Sequence, residues 1–507
     1  MFKKSISALL AAILLFGCLP FAFASEDTSS GYTITNPYQN INWETINQYK
    51  TALHTHTNAS DGDNTLLESI ERHYETGYDI VSVTDHGISD NSWTDSSKNS
   101  KFITTVMSLI GKTDGNLVFL EEKGTFPNGT AYEMKNVNGD DYLVTADGHE
   151  ILRIPYGIEN NAVSINAHVN SWFVPFEDNM PSDYRNAILG VEKADGISVI
   201  NHPGEYTQAR YELYEEDAYN MNNPSYNYYV NKFYGYINNY HSCIGIDINS
   251  KGDGRTRYDR KLWDIMLAKA AKSGKTVTAI ASSDAHQLDK IDTGSIIVLA
   301  NSKTSESVKN ALYNGEILPQ STCIHNRNEL AQIADALKAH YGETELYKTF
   351  ANLVVEYDAE CEEIANSADD GQVGVRYTSL NDEGFVATAT RPSVKSISVD
   401  DAEDTITIDT ENALLVRWIS DGKLIATTKA DDLAFDLNDY EDEIKGYIRA
   451  EIFGEGGIIY TEGFTLNADK AFDTGDEFIL DFGFMDFIFA LVDRYVGLIA
   501  RIIGNLI

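Results

Sequence analysis

The sequence predicts an α/β protein in which a parallel strand–helix domain is followed by a β-rich unit. Three observations carry this expectation. Between residues 45 and 322, short apolar runs ending in polar residues alternate with helix-patterned segments, the order that builds a parallel sheet, open or closed into a barrel. From residue 351 to 468 the apolar runs are shorter and separated by turn signals, as in an all-β unit. An amphipathic pattern returns only at the end of the chain, over residues 478–507.

The chain begins with a basic n-region, Met1-Phe2-Lys3-Lys4, an apolar run, and the small-x-small site Ala22-Phe23-Ala24. Residues 1–24 therefore read as a secretory signal peptide, too short and wrongly flanked for a spanning helix. Leu15–Cys18 (LFGC) loosely resembles a lipoprotein box, with Phe16 bulky for its place. The expected location is secreted or at the cell surface. A net charge of −38 over 507 residues repels a phosphate backbone, so no nucleic-acid polymer is expected as partner. Beyond the leader stand Cys243, Cys323 and Cys361, an odd number with no CxxC. Neither a disulfide framework nor a thiolate zinc site follows from that.

The strand candidates are YDIVSVTDH (78–86), DGISVINHPG (195–204), CIGIDINS (243–250) and KTVTAIASSDAH (275–286). Helix-like segments lie between them, including 65–77 and 259–274, the latter stopping at Gly274. Asn-Gly and Asp-Gly signals over about 120–155 indicate an inserted hairpin or two. The tyrosine-rich stretch 205–240 reads as a helix pair packing aromatics on the domain, or as a loop at the substrate mouth. Residues 323–350 form a helical connector. The β-like runs of 351–468 suggest a sandwich with an immunoglobulin-like outline. Residues 484–507 of the terminal segment carry four charges, which oppose a bilayer span. A helix lying on a membrane surface or pairing with a copy of itself fits better, with docking onto its own sandwich as the alternative.

Chemistry concentrates at the strand ends. HTH (His54, His56) places two imidazoles on one face of an extended segment, and Asp61 follows. Asp85 and His86, His202, and Asp284 with His286 close later runs, while Glu159 precedes His168 by nine residues. Six of the eleven histidines lie in these stretches. In a parallel α/β domain strand C-termini converge on one pocket, and imidazole with carboxylate suits zinc, manganese or iron. There is no GxSxG and no phosphate-cradling P-loop.

The order HTH, TDH, NHPG, SDAH resembles the PHP (polymerase and histidinol phosphatase) family of amidohydrolase-related phosphoesterases, over roughly residues 50–320. The resemblance implies a distorted (β/α)7 barrel holding two or three divalent ions. It implies a first ion on His54, His56, Glu159 and Asp284. Glu159 would bridge to a second ion on His168 and His202, and Asp61, His86 and His286 would hold a third. Glu159, Asp284 and His202 are then the expected catalytic residues. Residues 87–158 intervene where the family's glutamate segment follows closely, so Glu121 and Glu122 are rival bridges.

For an anion clamp, the basic run Lys251, Arg255, Arg257, Arg260 lies just past a strand end. Of these Arg260 is the expected substrate contact, with Arg210 second, because arginine pairs with phosphate in bidentate fashion. The expected function is hydrolysis of a small phosphorylated metabolite. Amide or lactone opening on the same cluster, or a non-catalytic surface-binding role, are the alternatives.

Overall fold

The computed structural model describes residues 31–95, 97, 102–115, 117–160, 167–177, 184–249, 254–324, 326–366 and 385–468. The leader at 1–24 and the terminal helix at 478–507 lie outside them. The chain is a mixed α/β protein with several sheets.

The first parallel unit starts at the strand Asn47–Ala52, which runs beside Ile80–Val81, itself parallel to Glu150–Arg153. Between the first two strands the helix Leu66–Glu75 starts where Thr65-x-x-Glu68 forms a capping box, two otherwise orphaned amides being satisfied reciprocally. Residues 123–153 add an antiparallel meander of four strands, the last of them Glu150–Arg153.

A second, five-stranded sheet contains Ile158–Asn160, Val169–Trp172, Ile197–Ile200, Cys243–Asn249 and Thr278–Ala281. Its last three strands are parallel. Gly245 explains how closely two of them approach, because a Cβ there would fall 1.7 Å from the Thr278 carbonyl oxygen. Packed on this sheet are the helices Tyr184–Ala194, Pro224–Asn239 and Asp259–Ala271, which bury Tyr226, Phe233, Trp263 and Met266. The tyrosine-rich stretch is thus one helix preceded by short 3-10 turns, rather than a helix pair.

The two sheets are joined by two isolated parallel bridges, Thr55 with Ala285 and His86 with Glu159. Backbone bonds there include His56 N–H to Ala285 O, 2.9 Å, and Gly87 N–H to Glu159 O, 2.8 Å. No closed barrel forms among the described residues.

The β-rich end departs from expectation in two ways. The boundary at 351 falls inside the helix Glu345–Asn366, which buries Phe350, Leu353, Tyr357, Cys361 and Ile364 at helical spacing. The helical connector is therefore two helices, Arg327–Tyr341 and Glu345–Asn366. The later strands are also continuous with the sheet of the first domain. Gly457–Tyr460 pairs with Ile317–Ser321, which pairs with Gly294–Ala300 and so with Asn47–Ala52. Tyr32–Thr35, from the beginning of the described chain, pairs with Phe464–Ala468. A three-stranded sheet, Ser393–Asp400, Thr405–Glu411 and Ala434–Asp436, contributes Ile397, Ile406 and Phe435 to a core shared with Trp418, Ile448 and Ile452. Each such side chain fully buried contributes about 1.5–3 kcal/mol. The three cysteines are buried free thiols. No described helix is long and apolar enough to cross a membrane.

Candidate metal centre

Most of the expected ligands come from the ends of these strands or the turns after them, with Asp61 further along the loop that follows Asn47–Ala52. His54 and His56 follow Asn47–Ala52, His86 follows Ile80–Val81, and His202 follows Ile197–Ile200. Asp284 and His286 follow Thr278–Ala281. Glu159 lies within Ile158–Asn160, and His168 immediately precedes Val169–Trp172. His202 and Asp284 adopt positive φ, 25° and 44°. Non-glycine residues are held there only where their surroundings over-determine them, and such strain gathers at functional sites.

Glu159 is the hub. Its Oε2 lies 3.0 Å from His86 Nδ1, 3.2 Å from His56 Nε2 and 3.5 Å from His54 Nε2. Its Oε1 lies 3.0 Å from His168 Nδ1 and 3.1 Å from His202 Nε2, and accepts 2.8 Å from Asn201 Nδ2. Asp284 Oδ1 stands 3.0 Å from His56 Nε2 and 3.1 Å from His54 Nε2. Asp61 Oδ1 stands 3.4 Å from His286 Nε2 and 3.6 Å from His86 Nε2. All nine expected residues are thus brought together. Glu121 and Glu122 are exposed and belong to no such group.

Three sets of donors have ligand atoms close enough to share an ion: His54, His56, Glu159 and Asp284; His86, Glu159 and His168; and His56, Asp61, His86 and His286. The first is the set implied for a first ion. The second has His86 where His202 was expected, His202 reaching the centre through Glu159. The third adds His56 to the expected trio.

The geometry fits cations better than a hydrogen-bonded core. Glu159 Oε2 is buried and accepts no hydrogen bond among the described residues, although three imidazole nitrogens face it. Imidazole nitrogens and carboxylate oxygens converging at these distances are what a divalent ion satisfies, and an all-nitrogen and oxygen donor set suits manganese, iron or zinc. Burial opposes the Glu159 charge, yet His168, His86 and His54 hold its carboxyl well below the usual range. Asp61 is likewise pulled down, against burial, by His86, His286 and His56.

Asp85, adjacent to His86, is a supporting residue. It accepts from the Thr57 N–H and hydroxyl, both 2.7 Å, and from the Ser60 hydroxyl, 2.6 Å, tying down the loop that carries His56 and Asp61. Burial nonetheless raises its pKa.

The centre opens into a cavity of about 550 Å³ lined by Asp61, His86, His168, Asp284 and His286 together with Lys112, Arg255, Lys290, Glu205 and Tyr206. Here the expected clamp needs correction. Arg260 is not in this cavity: it is buried against Glu329 and lines a separate cleft with Arg417 and Arg449. The reason is its place on the first turn of the helix Asp259–Ala271, on the face packed toward the later strands. Arg210 lies over the Tyr211 ring, 4.5 Å from its centroid, and is not in the cavity lining either. Sequence reasoning named Arg255 in the basic run but preferred Arg260, and it missed Glu205, Tyr206, Lys112, Lys290 and Asn201. Glu205 and Asn201 were within reach, because they flank His202 in Asn201-His202-Pro203-Gly204-Glu205.

No protein-family model and no curated protein matches the chain. Similar solved structures include a two-domain protein from Bacteroides vulgatus ATCC 8482 containing a predicted PHP-like metal-dependent phosphoesterase. It is 12% identical with a TM-score of 0.33, over 85% of this chain and 89% of that one. Another is the lesion-specific endonuclease PfuEndoQ of Pyrococcus furiosus, 11% identical with a TM-score of 0.28, over 53% of this chain and 56% of that one. The residues that carry the sequence's resemblance to the PHP family are the ones that meet in this cluster.

Proposed function

We propose that this protein is a metal-dependent phosphoesterase of PHP type acting on a small phosphorylated metabolite such as a nucleotide or sugar phosphate. The observation that carries the proposal is Glu159, whose two oxygens each face a different group of imidazoles. Such a carboxylate is suited to bridging two of two or three divalent ions. Divalent ions held there lower the pKa of water toward neutrality and offset charge on a phosphoryl oxygen.

The chain's own residues do the rest. His54, His56, Glu159 and Asp284 present a dense donor set from two sheets. Arg255, Lys112 and Lys290 give the cavity cations for an anionic ester, and a guanidinium pairs with phosphate in bidentate geometry. Burial keeps the proton on the Tyr206 phenol, whose oxygen lies 2.8 Å from His168 Nδ1. Those cations favour phosphate over the amide or lactone substrates of the second reading.

The distorted (β/α)7 barrel belongs to the same proposal. What supports it is that the two parallel bridges carry the strand order from one sheet into the other. The immunoglobulin-like outline of the later strands, export by residues 1–24, and a membrane-surface or self-association role for 478–507 complete the proposal and rest on sequence pattern.

The test is phosphate release by manganese-, iron- or zinc-loaded protein from nucleotides, sugar phosphates, an aryl phosphate and a DNA oligonucleotide, beside His54→Ala/His56→Ala. Metal-dependent release from a small ester, abolished in the variant, is expected. Release from none of them by metal-loaded protein refutes the phosphoesterase.

A further inference from the structure

His202 turns one nitrogen inward and the other away from the centre. Its Nε2 faces Glu159 Oε1 at 3.1 Å and Asp284 Oδ2 at 3.7 Å. Its Nδ1 faces Glu205 Oε2 at 3.5 Å. The other oxygen of Glu205, Oε1, accepts 2.8 Å from Arg255 Nη1. One carboxylate therefore stands between an arginine of the cavity lining and a histidine of the metal centre.

Backbone holds this arrangement in place. The 3-10 turn Pro203–Tyr206 returns Glu205 beneath His202, its N–H donating 3.0 Å to the His202 carbonyl. At Gly204 a Cβ would lie 2.9 Å from the Arg255 carbonyl oxygen and 2.3 Å from Asp259 Oδ1. The turn thus seats directly on the segment that carries Arg255, with no room for a side chain between. His202 has no exposed surface, whereas the Arg255 side chain keeps 31%.

The geometry points to Glu205 as a positioning residue that serves the metal centre and the substrate clamp at once. Toward His202, a carboxylate facing Nδ1 favours the tautomer with its proton there, leaving the Nε2 lone pair for an ion. Partners of this kind fix ring orientation and raise ligand basicity. Toward Arg255, the same carboxylate fixes one end of the guanidinium fork at the cavity lining, where an arginine pairs with a phosphoryl oxygen. The inference rests on the metal-dependent reading of the centre and extends it to how substrate and metal are coupled.

Glu205→Gln keeps the size of the side chain but loses the charge and one acceptor. The experiment titrates manganese into chelator-treated wild type, Glu205→Gln, Arg255→Ala and the double variant, then inorganic phosphate into each manganese-loaded form. Glu205→Gln is expected to weaken manganese binding about 10–100-fold and to weaken phosphate as well. In the Arg255→Ala background it should still weaken manganese yet cost no further phosphate affinity. Manganese and phosphate binding equal to wild type overturns the inference, and so does a fall in thermal stability alone. Binding as expected, with no ester turned over, leaves Glu205 in its role and removes the phosphoesterase instead.

Discussion

Glu159 Oε2 stands 3.0 Å from His86 Nδ1, yet no hydrogen bond joins them. Glu159 belongs to the five-stranded sheet and His86 follows a strand of the larger one. The pair therefore lies where the two sheets meet, and an ion between them would fasten one sheet to the other. Metal removal should consequently cost stability. A ligand present at a hundred times its Kd adds about 2.7 kcal/mol. Thermal unfolding should move down on chelation and recover with added manganese. An unfolding temperature indifferent to chelator would count against the coupling.

Arg255 and Arg260 separate clamp from staple. Arg255→Ala should raise KM for a phosphate ester about tenfold or more, since a hydrogen bond to a charged group contributes about 1.5–3 kcal/mol, while unfolding is little changed. Arg260→Ala should leave KM alone and destabilise by about 3 kcal/mol, because Glu329 loses one of its buried partners and retains Arg417 at 3.2 Å. Steady-state kinetics beside urea unfolding distinguishes them, and the opposite pattern would restore Arg260 as the clamp.

Asp85 touches no proposed ion but anchors the loop that supplies His56 and Asp61. Asp85→Asn sets an amide donor against the donors that the carboxylate now accepts. Manganese affinity should fall about 10–100-fold, the usual cost of losing a supporting partner. Unchanged affinity by competition with a chromophoric chelator would show that the loop holds its shape without it.

His73 gives a pH dependence outside the metal centre. Burial pulls its pKa down to about 4, against the helping bond from Nδ1 to the Ser69 carbonyl. Its ordinary value is 6.5, so between pH 6.5 and 4 the unfolded chain binds more protons. Stability from this residue is full above 6.5 and declines as pH falls toward 4. The span corresponds to about 3 kcal/mol. Urea unfolding in chelator at pH 7.5 and 4.5 should show His73→Gln losing less stability than wild type. Equal losses would remove His73 as a source.

The candidate metal centre was the most legible feature of the sequence, because strand C-termini converge and most of its ligands stand at or beside one. Glu159 could be preferred over Glu121 and Glu122 from its place before His168. The choice between Arg255 and Arg260 could not be read, since it depends on which way a helix turns after an irregular loop. The helix Glu345–Asn366 did carry its signal, in the spacing of Phe350, Leu353, Tyr357 and Ile364, and was masked by expecting strands there. The pairing of Gly457–Tyr460 with Ile317–Ser321 left no trace in local pattern. Strand periodicity reports a buried face and says nothing of a partner far away in sequence.

The central claim is that Glu159 joins two parts of one divalent-metal centre. Metal content per chain, measured after manganese reconstitution and dialysis, tests it most directly when wild type is compared with Glu159→Gln. The account predicts two or three ions in wild type and a loss of at least one in the variant. No bound ion in wild type, or the same number in both, would contradict it.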